Sequence, residues 1–182
     1  MGVFTLKKGG HYARPFASWP WIGEQRMGRH VTFDASCQYD SAAYNAQDVN
    51  KLFGLSFGFS GVHHNSARFG WRWSKSDQCI ELLAYVYRNG KRNQDEQLRF
   101  PVVAQVKPGA SVILGIYYWT EANGPYGKTH FEFTASPNEN TASKSVMVPA
   151  STDLPGYGLT HGLYFGGELV APHEMSVHID RP

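Results

Sequence analysis

From Lys51 onward the chain is written in steps of two. In "ARFGWRW", Ala67 to Trp73, the rings Phe69, Trp71 and Trp73 alternate with Arg68, Gly70 and Arg72. In "KTHFEFTAS" Phe131 and Phe133 alternate with His130 and Glu132, and in "EMSVHID" Met175, Val177 and Ile179 alternate with Ser176, His178 and Asp180. Successive side chains on a strand point to opposite faces, so each segment has one apolar face to bury and one polar face to show. Further strands are expected in "KLFGLSFGF", "CIELLAYVYR", "QLRFPVVAQV", "ASVILGIYYWTE", "KSVMVPA" and "GLTHGLYFGGELV". Asn89-Gly90 predicts a hairpin turn, because both residues tolerate positive φ. Pro101 predicts an edge strand or a break, because proline has no N–H to give to a ladder. Pro108-Gly109, Asn123-Gly124-Pro125 and Pro155-Gly156 read as turns.

Regular short strands with this punctuation predict an all-β fold, an antiparallel, jelly-roll-like β-sandwich of about ten strands with little helix. "SAAYNAQDVNKLF", Ser41 to Phe53, is the mild helical candidate, and its Asp and Asn content suits a loop equally well. Residues 1–30, with Pro15, Trp19, Pro20 and Trp21, read as an irregular, aromatic-rich arm packed on the body. Residues 31–182 read as one β-sandwich domain, since 182 residues suffice for a single full core.

Composition narrows the function classes. Charged residues make up 18% of the chain, below the typical ~25%. Aromatics at 14% and 19 glycines fill the difference, which suits pleated surfaces and turns. A net charge of +2 with no long Lys/Arg run argues against nucleic acid as a partner. No apolar stretch approaches membrane-spanning length. "MGVFTLKKGG" has no apolar run of signal-peptide length, so the cytoplasm is the default compartment. Cys37 and Cys79 lack a C-x-x-C spacing and suit either buried thiols or one disulfide. Dinucleotide, P-loop, zinc-protease and serine-hydrolase signatures are absent.

Three groups of residues carry chemistry. His63 and His64 lie in a loop from which both can reach one divalent metal, with His173 as a third donor. The same histidines also suit a tight turn in which they bond backbone groups. Arg68 and Arg72 share a strand face with cross-strand neighbours expected among Glu81, Tyr85 and Tyr87. There they either pair with carboxylates or grip an anion bidentately. The rings of Trp71, Trp73, Trp119, Tyr117, Tyr118, Tyr126 and Tyr164 serve either a ring-rich core or flat platforms for sugar C–H faces.

The words "HHNSARFGWRW" and "YFGGELVAPH" resemble a pattern shared by a family of bacterial proteins, in which histidine-rich text precedes N-S-A-R-x-G-W and a Y-F-G-G-x-x-x-A-P-H element lies near the C-terminus. The likeness covers roughly residues 50–180 and implies no particular activity. The order of Arg68, Arg72, His130 and Tyr164 is also similar to that in the β-jelly-roll alginate lyases. That resemblance implies arginines neutralising a uronate carboxylate, His130 as base and Tyr164 as acid. The lyase words R-x-E-x-R, Q-x-H and K-A-G-x-Y-x-Q are not in this chain.

The leading expectation is therefore a protein that binds a glycan or similar polar ligand through Arg68, Arg72, Trp73, Tyr85, Tyr117 and His130. A lyase-like enzyme, a histidine–metal enzyme using His63, His64 and His173, and a structural assembly protein are the alternatives.

Overall fold

The computed structural model of the chain describes residues 2–16, 18–23, 26–40, 48–59, 61–92, 100–120, 129–137, 143–150 and 154–181. Fourteen strands run in chain order through these residues: β1 (Gly2–Leu6), β2 (Ala13–Arg14), β3 (Pro20–Ile22), β4 (Arg26–Phe33), β5 (Asn50–Phe57), β6 (Ser66–Ser74), β7 (Cys79–Arg88), β8 (Lys91–Arg92), β9 (Val102–Val106), β10 (Ser111–Thr120), β11 (Thr129–Ser136), β12 (Lys144–Pro149), β13 (Tyr157–His161) and β14 (Met175–Asp180). They form two seven-stranded sheets. The first has the order β12-β11-β10-β4-β14-β1-β2. The second runs β3-β13-β5-β6-β7-β8, with β9 also on β7. All pairings are antiparallel. The fold is the expected all-β sandwich, with more strands than the ten read from sequence. A single 3-10 turn, Ala35–Cys37, is the helical element among the described residues, and no helix there is long and apolar enough to cross a membrane.

The alternation read from the sequence decides which residues lie between the sheets. Phe57, Phe69, Trp71, Leu82, Ala84 and Val86 of the second sheet are buried against Phe33, Leu114, Ile116, Phe131 and Phe133 of the first. The rings interlock across the gap. Phe69 meets Phe133 edge-on at 5.2 Å, Phe57 meets Phe131 at 5.4 Å, and Phe33 meets Trp71 at 5.3 Å. Such pairs add directional attraction to the area they bury.

The hairpin at Asn89-Gly90 has positive φ at both residues, 50° and 82°, as its sequence demands. Pro101 immediately precedes β9, which pairs with β7 alone and so lies at a sheet edge. Cys37 and Cys79 are both free and buried. Burial, the largest cause, pushes the Cys37 thiol up to about 12.

Two expectations change. Residues 1–30 are not an irregular arm. β1 pairs with the C-terminal strand β14 inside the first sheet, and β3 forms the edge of the second beside β13. A boundary at residue 30 falls within β4. The segment hides its strands because they are short and its prolines break the pattern. The helical candidate Ser41–Phe53 ends in strand, since Asn50–Phe53 belong to β5. Residues 41–47 lie outside the described residues, as do Tyr126 and the turn at 123–125.

Replacing Phe69 by Ala removes a fully buried ring that touches both Phe53 and Phe133. The expected loss is about 3–5 kcal/mol of unfolding free energy. Urea denaturation monitored by tryptophan fluorescence measures it, and a loss below about 1 kcal/mol would contradict this core assignment.

Candidate functional site

The outward face of the second sheet carries the site. Arg68 alternates with the core residues Ala67 and Phe69 and therefore points away from the sandwich interior. Strand register sets one row of four outward residues. His161 on β13 faces Gly54 on β5, Gly54 faces Arg68 on β6, and Arg68 faces Tyr85 on β7. A neighbouring row contains Tyr164, Lys51 and Gly70, and another contains Ser66, Tyr87 and Arg92. Gly54 makes the central row possible. A Cβ there would lie 2.2 Å from the Ala67 carbonyl oxygen and 2.7 Å from Arg68 Cγ, so glycine leaves the space that the Arg68 stem occupies.

An N-terminal segment, the arch, walls this face on its β13 side. Ala13 N–H donates to the Leu163 carbonyl and Phe165 N–H to that of His11, while Thr160 N–H donates to the Trp19 carbonyl. Ser18 Oγ donates to the Thr160 carbonyl. Residues 11–13 and 18–19 are thus anchored on the β13 side of the sheet. Between it and the sheet face lies a cavity of about 450 Å³, within the range of small-ligand sites. Tyr12, Pro15, Phe16 and Leu163 contribute to its apolar walls, and Lys51, Arg68, Arg92 and Asp48 bring charge. Tyr12 and Phe16 are 63% and 65% exposed and meet edge-on at 5.9 Å, which leaves flat ring surface open to solvent.

Arg68 is the unusual member. It is only 6% exposed, yet Nε and Nη2 have no hydrogen-bond partner among the described residues. Its guanidinium carbon sits 5.1 Å from the centre of the Tyr85 ring, a cation–π contact that partly offsets desolvation. Lys51 is also buried. Its Nζ donates to the Gly166 carbonyl at 2.9 Å and lies 5.1 Å and 5.5 Å from the Tyr85 and Tyr164 ring centres. Burial first, then the charge of Arg68, lowers the Lys51 pKa to about 8. The same two causes lower His161 to about 4 and hold His63 below its ordinary value. Burial pushes the Tyr85 and Tyr164 hydroxyls up, so both stay protonated.

The structure brings only part of the expected set together. Arg68, Tyr85, Tyr164 and His63 line the cavity. His63 stacks on Tyr87 with ring centres 5.1 Å apart. Arg72 instead forms an ion pair with Glu81 at 2.5 Å, as one of its two readings required. Trp73 is buried in the core and is not a ligand-binding surface residue. Tyr117 and His130 stand on the outward face of the opposite sheet. Tyr117 is 41% exposed, and the His130 ring packs on Trp119 at 5.5 Å. Arg68, Arg72, His130 and Tyr164 therefore do not share a site, because Phe69 and Phe131 point at the interior from opposite sides and turn their neighbours outward in opposite directions. The lyase-like constellation is not assembled.

The histidine triad does not converge either. His64 Nδ1 lies 2.9 Å from Asn65 Nδ2, and His173 Nε2 lies 2.7 Å from the Ser36 carbonyl oxygen. No group of three His, Cys, Asp or Glu suited to a metal occurs among the described residues. In "HHNSAR", Asn65 and Ser66 are structural. Asn65 Oδ1 accepts from Asn89 N–H, tying the loop to the β7–β8 hairpin, and Ser66 Oγ donates to the Val62 carbonyl.

The sequence analysis named Tyr87 only as a cross-strand neighbour of the arginines and did not choose Tyr12, Phe16, Lys51, Arg92 or His161 as ligand-binding residues. Two left a signal. Lys51 is the one charged residue in the otherwise apolar "VNKLFGLSFGF", and His161 interrupts "GLTHGLYF". A scan against protein-family models finds no match to the chain, and a search of curated proteins finds no relative.

His161 is neutral when folded and titrates near 6.5 when unfolded, so the unfolded state binds the extra proton first as pH falls. Stability is then full above about pH 6.5 and declines toward pH 4, by on the order of 2–3 kcal/mol. Urea midpoints across this window should fall more steeply for the natural protein than for His161→Asn. Parallel slopes would show that His161 is not held neutral.

Proposed function

We propose that this protein is a binding protein for a glycan or similar polar ligand, and that the ligand occupies the cavity between the N-terminal arch and the outward face of the second sheet. The observation that carries the reading is a buried arginine, two of whose nitrogens have no hydrogen-bond partner among the described residues, in the lining of a cavity. A buried polar group without a partner is destabilising, and a ligand acceptor relieves that cost when it enters. Tyrosine-rich walls support a sugar-like body, because rings stack on C–H faces while their hydroxyls bond polar groups. The exposed rings of Tyr12 and Phe16 extend the same surface outward.

Screening on a glycan array, followed by affinity electrophoresis of each positive, tests the reading. Tyr12→Ala and Phe16→Ala should each weaken the retained ligand about tenfold, or ~1.4 kcal/mol, with the melting temperature little changed because both residues are exposed. Tyr117→Ala, on the far sheet, should leave binding intact. Loss on Tyr117→Ala with no effect of the Tyr12 and Phe16 variants would move the site to the other face and overturn the proposal.

A further inference from the structure

The two unpartnered nitrogens of Arg68 are not an arbitrary pair. Nε and Nη2 form one edge of the guanidinium plane, and their N–H bonds point the same way. That edge matches two oxygens of one planar oxyanion. Tyr85 meets the group with its ring face, the guanidinium carbon 5.1 Å from the ring centre, and takes no hydrogen bond from either nitrogen. No carboxylate among the described residues pairs with Arg68: the ion pairs formed there are Lys7–Glu174, Arg72–Glu81 and Lys75–Asp40.

The surrounding charge points the same way. Lys51 and Arg68 line the cavity together with Arg92 and, among the described residues, one carboxylate, that of Asp48. Lys51 and Arg68 approach the same Tyr85 ring, each at 5.1 Å from its centre.

We infer that the ligand is anchored by a carboxylate, held side-on by the Nε/Nη2 edge of Arg68 with Lys51 as the second cation. This rests on the cavity being the binding site. It adds that site's chemical selectivity: acids are taken in preference to their neutral counterparts.

The test uses the full chain and matched probes followed by NMR titration: gluconate against sorbitol, benzoate against benzamide, and inorganic phosphate. Each acid should bind at least about tenfold more tightly than its neutral partner and more tightly than phosphate. Arg68→Lys keeps the charge but loses the fork, and should remove most of that preference. Lys51→Met, which leaves Arg68 in place, should weaken the acids and spare the neutral probes. A pH series gives a readout that needs no Arg68 variant. Lys51 is faced by Arg68, Arg92 and Asp48, and its charge is lost as pH rises through about 8, so acid affinity should fall there in the natural protein but not in Lys51→Arg. Neutral probes that bind the cavity as tightly as the acids would overturn the carboxylate assignment and leave the binding reading standing. Phosphate binding tighter than the acids, or an acid preference that survives Arg68→Lys, would also overturn it. If no probe perturbs a cavity resonance at its highest soluble concentration, the carboxylate assignment falls. Retention of a neutral glycan on the array would then still uphold the cavity reading, which falls as well only if the array is also blank.

Discussion

Phe69 pressed against Phe133 and Arg68 turned the other way are two consequences of one strand register. The ring contact at 5.2 Å lies in the middle of the interface between the sheets. A slip of one residue along β6 would send Arg68 into a gap filled by Phe33, Phe57, Phe131 and Phe133, and would expose three aromatic rings to water. The hydrophobic penalty for that exchange is large, and so is the cost of an unpaired cation among those rings. Register is therefore tightly specified, and the position of Arg68 on the outward face follows from the packing on the inward one.

The same face then has to accommodate charge that the fold has buried. Arg68 and Lys51 lie on neighbouring central strands of the sheet and are both buried, in a cavity that the arch also lines. Repulsion and desolvation act together, which is why burial and Arg68 are the leading causes of the lowered Lys51 and His161 values. Tyr85 and Tyr164 moderate this with ring faces rather than carboxylates. Rings leave the edge of a guanidinium available, whereas a salt bridge of the kind Arg72 makes with Glu81 engages it. Two arginines four residues apart on one strand face thus have opposite fates, decided by whether the facing residue on β7 is Tyr85 or Glu81.

Much of the architecture was legible in the alternation of "ARFGWRW", "THFEF" and "MSVHID". Period-two patterning states which residues want to be buried, and the sandwich satisfies it. The site was legible only in part. Arg68, Tyr85, Tyr164 and His63 were chosen as polar or ring-bearing residues of the right strands, and they do gather. His130 and Tyr117 were chosen on the same grounds and belong to the other sheet. Nothing in a local pattern distinguishes the outward face of one sheet from that of the other. Trp73 shows the complementary error, since a tryptophan suits a sugar platform and a core equally well, and its side of the strand alone decides. Tyr12 and Phe16 were hidden because they sit in a segment whose short strands give no periodic signal.

The amino-acid sequence by itself determined the class of fold, the inward face of the clearly alternating strands and the hairpin at Asn89-Gly90, because these depend on local alternation and on backbone freedom at single residues. Tertiary structure alone decided the order of strands in each sheet, the pairing of Arg72 with Glu81, the closure of the N-terminal arch and the meeting of Lys51, Arg68 and His161. Those contacts join residues as far apart in the chain as 2 and 179. They arise from how whole sheets bury their apolar faces, which is a property of the assembled surface rather than of any stretch of chain.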